Sequence, residues 1–400
     1  MSVAPSRHAW TSAPSSMVTS PSAGVPLLDV QRQYQAIGHE IAQAIERVCD
    51  SGRFVLGPDC EQLEQSLAAY CHVPHAIACA SGSDALLLAL MAYDIGPGDE
   101  VLMPSYTFFA TAAAAWRLGA KPVFVDLDPI TFNLAPHLLE GLITPATKAI
   151  IPVHLYGQCA DMRSILAIAG RHQVPVIEDA AQAVGAEYDG RRAGSWGAVG
   201  CLSFYPTKNL GGFGDGGLLT TGDAALADKL RLLRTHGMRP RYYHEVVGIN
   251  SRLDSLQAAV LNVKLPYLEG WTVGRQDNAK RYTELFALCG MDRVLGLPRI
   301  APLCRHVWNQ YVIRVPDGRR DALRAYLAER KIGTEIYYPV PLHLQDCFST
   351  LRYERGSLPE SERAAEETLA LPIFPELTAA EQQTVVREIA AFFHPSGRVS

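Results

Sequence analysis

The sequence predicts an α/β protein: a large, mainly parallel sheet with helices on both faces, then a smaller α+β unit. Three observations carry this. Between residues 75 and 235, short apolar runs alternate with helical patterns, and strands apolar throughout and separated by helices belong in a parallel sheet covered on both sides. The length of 400 residues is about two to three typical domains, which favours one large domain and a smaller one. Beyond residue 300 the order changes to the strand-like HVWNQYVIRVP, the helical RRDALRAYLAERKIG and a final helical TAAEQQTVVREIAAFF.

The elements follow in order. The opening 25 residues are rich in Ser, Pro and Ala and lack an apolar signal core, so a disordered tail is expected. PLLDVQRQYQAIGHEIAQAIERVCDSG has apolar residues at helical spacing and stops at Gly52; CEQLEQSLAAYC predicts a second helix. HAIACAS, EVLMPS, KPVFVDLD, TKAIIPVHLYG and VPVIEDAA read as strands, and SDALLLALMAYDI, TFFATAAAAWRLG and ADMRSILAIAGRHQ as the helices between them. One long helical pattern over 252–288 connects to the C-terminal unit. The expected division is a tail at 1–25, a large domain at 26–270 and a small domain at 271–400.

Composition excludes several classes. A net charge of −5, with basic residues spread along the chain, gives no electrostatic case for nucleic acid. No run approaches a membrane span. The nine cysteines form no C-x-x-C and are odd in number, which suits buried free thiols in a reducing, cytoplasmic setting. His72 and His75 are the close histidine pair, in a Pro-containing connection, and no metal site is expected.

Chemistry concentrates in a few stretches. In VIEDAAQA, Asp179 ends an apolar strand, and in open α/β sheets ligands bind beyond the strands' carboxyl ends. Capping a following helix is the competing reading. Lys208 in SFYPTKNLGGFGDGG stands beside Tyr205 and Pro206 and ahead of five glycines in seven residues; an amine used as a nucleophile must shed its proton, which partial desolvation favours. Gly212, Gly214 and Gly217 match G-x-G-x-x-G but lead into the strand-like LLTTG, not a helix, so a dinucleotide fingerprint is rejected. Gly82 and Ser83 open a helix whose N-terminal amides could seat a phosphate, with simple N-capping by Ser81 or Ser83 as the alternative. Tyr106, at another strand-to-helix switch, could stack on a planar ligand or pack in the core. A planar ligand with a phosphate, a ring nitrogen for a carboxylate and a carbonyl for a lysine is pyridoxal 5′-phosphate.

The chain resembles the sugar-nucleotide aminotransferases of the DegT/DnrJ family from about Pro26 to the C-terminus, on SGSDAL, PSYTF, PVHLYGQCADM, VIEDAAQAVGA, SFYPTKNLGGFGDGG, GINSRLDSLQAA and HVWNQYVIRV, and the resemblance implies the fold-type I aspartate aminotransferase-like architecture. The resemblance implies that Lys208 holds the cofactor and shuttles the substrate proton. It implies that Asp179 pairs with the pyridinium nitrogen, that Gln182 lies near the ring oxygen, and that Tyr106 stacks on its face. Gly82, Ser83 and Ser203 would hold the phosphate. Asn250 would reach the partner's phosphate across a homodimer interface. The implied reaction moves an amine from L-glutamate to a nucleotide-linked ketosugar. HVWNQYVIRV and TEIYYPVPLHLQ resemble members acting at C3 of a dTDP- or UDP-linked 3-ketosugar, with Asn309 where other branches often carry histidine. Tyr205, Tyr338 and His343 are expected at the sugar nucleotide, with ordinary packing as their alternative. A C4-ketosugar or cyclitol aminotransferase and a sugar dehydratase are rival readings; retention of Lys208 argues against the dehydratases that carry histidine there. A sugar-nucleotide-sensing regulator on the same scaffold would be marked by loss of Lys208 or Asp179, and both are present.

Overall fold

The structure, a computed structural model, describes residues 24–394. Most of the predicted tail lies outside the described residues; at its end Val25 is buried and bridges Ile332. Helix α1 (Val30–Ser51) is started by Asp29, whose side chain accepts from the Gln31 and Arg32 amides, and ends at Gly52, where φ of 64° suits glycine. Its buried residues Ile37, Ile41, Ala44 and Val48 lie on one face. Helix α2 (Pro58–Tyr70) follows.

The sheet is built from β1 (His75–Cys79), β2 (Glu100–Pro104), β3 (Lys121–Val125), β4 (Thr147–Ile150) and β5 (Ile177–Asp179). A small hairpin of β6 (Glu187–Tyr188) and β7 (Arg191–Arg192) intervenes before β8 (Val199–Ser203) and β9 (Gly217–Thr221) complete it. Ladders join β1-β9-β8-β5 and β3-β2-β4, and parallel bridges Ile150↔Val176 and Val153↔Asp179 join the two groups. The spatial order is therefore β1-β9-β8-β5-β4-β2-β3. All pairings are parallel except those of β9, which is antiparallel to both neighbours. No helix lies between Ser203 and Gly217, so the glycine-rich connection returns the chain directly instead of through a crossover.

Helices α3 (Gly82–Ala92), α4 (Ala110–Arg117) and α6 (Ala224–Leu233) cover one face; α2, α5 (Met162–His172) and α7 (Ser255–Lys264) cover the other. In β1, Ala76 and Ala78 enter one core while Ile77 and Cys79 enter the other, as the two-residue period of a strand requires. The continuous helical pattern expected over 252–288 is two helices. Pro266, in the turn Leu265–Tyr267, separates α7 from α8 (Leu268–Leu288), since proline lacks the amide a continuing helix needs.

β10 (Cys304–Arg305) pairs with β6. The C-terminal part adds β11 (Tyr311–Arg314), α9 (Arg320–Glu329), α10 (Pro359–Glu367), β12 (Thr368–Leu371) and α11 (Ala379–Phe393). A third core gathers Tyr282 and Phe286 of α8, Tyr311, Leu323 and Val385, and it includes Val25 from the N-terminal segment. The boundary expected near residue 270 falls in the first turn of α8. Five of the nine cysteines are buried, and all are free.

Candidate active site

At the carboxyl ends of β5 and β8 lies a cavity of about 580 Å³ that Gly82, Ser83, Asp179, Gln182, Ser203, Tyr205, Lys208 and Tyr338 all line. Asp179 is 5% exposed. No α-helix follows it, which removes the capping reading. Its Oδ2 accepts from Thr111 Oγ1 at 2.8 Å and its Oδ1 from the Ala181 amide at 3.2 Å. Burial pushes its carboxyl up, and Thr111, Ala181 and the Lys208 charge oppose the rise.

Lys208 is half-buried in the turn after β8. Its amide donates to the Tyr205 carbonyl, and the Gly212 amide to the Phe204 carbonyl. A side chain at Gly211 would meet the Pro206 carbonyl oxygen at 2.4 Å, so the close turn that presents Lys208 requires glycine there. Burial pulls its ammonium down from 10.5 to about 8, with Asp179 acting in the opposite sense.

Ser81 takes the capping role at α3, accepting from the Asp84 amide at 3.1 Å. The first helical positions, Gly82 and Ser83, have amides with no acceptor inside the helix and border the cavity. A Cβ at Gly82 would lie 2.7 Å from Ser203 Cβ; glycine lets the helix end approach the end of β8. Gln182 is fixed from both ends, accepting from the Tyr156 amide at 2.6 Å and donating to Tyr338 Oη at 3.1 Å.

Two expectations are placed differently. Tyr106 does not line the cavity. It is fully buried, its hydroxyl donates to the Tyr337 carbonyl at 2.5 Å and lies 2.6 Å from Thr368 Oγ1, and it accepts from the Tyr338 amide. Core packing therefore wins over stacking, and Phe108, 56% exposed and lining the cavity, stands where a stacking ring could. The pattern TFF, two further aromatics after an apolar strand, was the signal for it. His343 is buried away from the cavity. Its Nδ1 lies 2.6 Å from Ser105 Oγ and its Nε2 3.1 Å from Glu362 Oε1, so both ring nitrogens are committed to packing. Asn250 is exposed and absent from this chain's cavity lining. Thr111, which holds Asp179, carried no sequence signal.

The residues present fit pyridoxal phosphate. A buried carboxylate, an amine with a depressed pKa, a glycine-opened helix N-terminus with serines beside it and an exposed aromatic ring share one cavity. Among the described residues no cluster of His, Cys, Asp or Glu could hold a metal, and no helix is long and apolar enough to cross a membrane.

This fold and site define an aminotransferase of the pyridoxal phosphate-dependent, fold-type I class. The chain belongs to the DegT/DnrJ/EryC1/StrS aminotransferase family, whose model matches residues 35–390. It is 52% identical to the "Pleiotropic regulatory protein" of Geobacillus stearothermophilus, over 92% of this chain and 98% of that protein. It is 46% identical to the dTDP-3-amino-3,4,6-trideoxy-α-D-glucose transaminase of Streptomyces venezuelae, over 90% and 94%. The crystal structure of S. venezuelae DesV in complex with a ketimine intermediate matches with a TM-score of 0.90 and 44% identity, over 94% of this chain and all of that one. That of ntda from Bacillus subtilis with bound cofactor PMP matches with 0.86 and 34%, over 94% and 86%.

Proposed function

We propose that the protein transfers the amino group of L-glutamate to C3 of a dTDP- or UDP-linked 3-ketohexose, working as a cytoplasmic homodimer. The observation that carries the chemistry is the pair formed by the depressed Lys208 amine and the buried Asp179 carboxylate on one cavity. Regiochemistry is supported by similarity to the 3-amino sugar transaminase of S. venezuelae.

When bound, pyridoxal phosphate supplies a carbonyl for the amine and a ring that takes up the electron pair left on the substrate carbon. Lys208 would hold that carbonyl and then move the proton at the reacting carbon, a task suited to an amine that titrates near working pH. Asp179 would hold a proton on the ring nitrogen. Gly82, Ser83 and Ser203 would bind the phosphate, Gln182 would fix the ring oxygen, and Phe108 would cover a face of the ring and exclude water. Tyr205 and Tyr338 would meet the sugar nucleotide. Asn250 would serve the partner's site, which its exposed position supports. The separate third core supports a large domain at 26–270 and a small one at 271–400.

A regulatory reading has one observation in its favour, the name of the G. stearothermophilus relative. One experiment separates the two. The purified protein should show a visible cofactor band that bleaches with L-glutamate and is absent in Lys208→Ala. It should then aminate a dTDP- or UDP-linked 3-ketosugar, with the new C–N bond located by NMR. Amination at C4 would overturn the C3 assignment, and a protein that stays colourless with added cofactor would leave the regulator.

A further inference from the structure

We infer that Lys264 and Gln257, both on α7, hold from behind the turn that presents Lys208 and so position its amine, an inference that rests on the Lys208 reading above and deepens it. Lys264 Nζ donates to the Gly211 carbonyl at 2.5 Å. Gln257 Oε1 accepts from the Phe213 amide at 2.7 Å. The two side chains leave α7 about two helical turns apart and so share a face. Neither lines the cavity that holds Lys208, so each acts through the turn and is a positioning residue.

Lys264 is 4% exposed, and the Gly211 carbonyl is its hydrogen-bond acceptor among the described residues. Burial pulls its ammonium down from 10.5 to about 8, with Glu376 acting in the opposite sense. An apolar residue would avoid that cost, so stability alone does not account for a lysine here. Packing does not fix the turn from this side either. Pro206, Gly212 and Phe213 back onto a hollow of about 430 Å³, which Lys264 lines together with Tyr34 and Ile37 of α1. The two hydrogen bonds therefore set where the turn lies against α7. Within the turn the Lys208 amide is bonded to the Tyr205 carbonyl and the Gly212 amide to the Phe204 carbonyl, so a shift at Gly211 passes to Lys208. An amine that must meet one carbon and take its proton tolerates little such displacement.

The test uses holoenzyme and single-turnover bleaching of the cofactor band by L-glutamate. Lys264→Met should lower the saturating rate about ten- to a hundredfold and leave the half-saturating glutamate concentration unchanged. The slowed step is proton transfer, so α-deuterated L-glutamate should show a full primary isotope effect in the variant. Lys264→Arg keeps a donor, has the hollow to accommodate it, and should restore most of the rate. Gln257→Leu should show the same split between rate and half-saturation, and Gln257→Glu, isosteric and still an acceptor, should not; this pair decides the question if Lys264→Met does not fold. A Lys264→Met protein that melts lower but bleaches at the wild-type rate, or that is slow without an isotope effect, would confine Lys264 to stability and overturn the inference alone, with Lys208→Ala lacking both band and bleaching as the control. Wild type that does not bleach, or Lys208→Ala that still does, would overturn the Lys208 reading as well.

Discussion

Asn309 donates its side-chain amide to Asn209 Oδ1 at 2.8 Å, and Asn209, the chain neighbour of Lys208, donates in turn to the Val307 carbonyl at 2.8 Å. The turn that carries the reactive amine is thereby tied to the segment leading into β11. Arg275, buried in α8, holds the same segment through the Trp308 carbonyl at 3.0 Å. Asn309→Ala would leave a buried amide oxygen on Asn209 without its donor, at a cost of about 1–3 kcal/mol. Chemical denaturation measures that loss. Because the link reaches Lys208 through its neighbour, the pH dependence of cofactor binding to Lys208 should shift as well; an unchanged profile would limit Asn309 to stability.

Thr111 makes a similar argument for the carboxylate. It donates to Asp179 Oδ2 at 2.8 Å and is among the groups that oppose the upward push of burial on that carboxyl. Hydrogen bonds to charged groups contribute about 1.5–3 kcal/mol. Thr111→Val should therefore lower kcat/KM about tenfold or more. Its carboxyl pKa rises further, so ionisation needs higher pH and the acid limb of the rate profile moves upward. Thr111→Ser keeps the hydroxyl and should restore both. A Val variant with the wild-type acid limb would assign Thr111 to packing alone.

Much of the fold was legible because its signals are local. Asp29 and Gly52 bracket α1, and β1 to β5 are short apolar runs that pair in parallel or, for β1, with β9. The reversal at β9 was legible only in part: the glycine run leads into LLTTG with no helical pattern between, but nothing local gives the direction in which that strand pairs. Asp179, at a strand end, was readable for the same topological reason that places ligands there, whereas Ser203 came only with the family resemblance. His343 was not, because its environment is made by Ser105 and Glu362, distant in sequence. Tyr106 failed by two residues. Its buried hydroxyl has partners on the segment at 337–338 and at Thr368 that no local pattern announces.

That displacement is testable. Phe108→Ala should weaken cofactor affinity and shift the visible band, because it strips an exposed ring from the cavity, with little effect on unfolding free energy. Tyr106→Phe should do the reverse. It leaves the Tyr338 amide without its acceptor, at about 1–3 kcal/mol, while the Tyr337 carbonyl keeps the Tyr156 hydroxyl, with the visible band unchanged. Equilibrium titration with cofactor and urea denaturation on both variants give the comparison. A Tyr106→Phe spectrum that shifts while that of Phe108→Ala does not would return the stacking role to Tyr106.

The depressed amine of Lys208 also makes the cofactor-free protein less stable than it could be. Its folded pKa of about 8 lies below the ordinary 10.5. Below pH 8 both folded and unfolded chains carry the proton, and the full penalty of burying an ammonium is present. Between about 8 and 10.5 the unfolded chain binds more protons than the folded one, so stability rises with pH across that window. Lys208→Met removes the ammonium. The cofactor-free variant should melt at a higher temperature than wild type at pH 7, and the gap should narrow as pH rises toward 10. Lys264, also pulled to about 8 by burial, contributes a similar rise to both proteins, so the difference between them isolates Lys208. Added pyridoxal phosphate should reverse the order, since it binds the folded wild type through the lysine and stabilises it by mass action. Scanning fluorimetry at a series of pH values is sufficient; a gap that is constant from pH 7 to 10 would mean the amine is solvated and not poised to react.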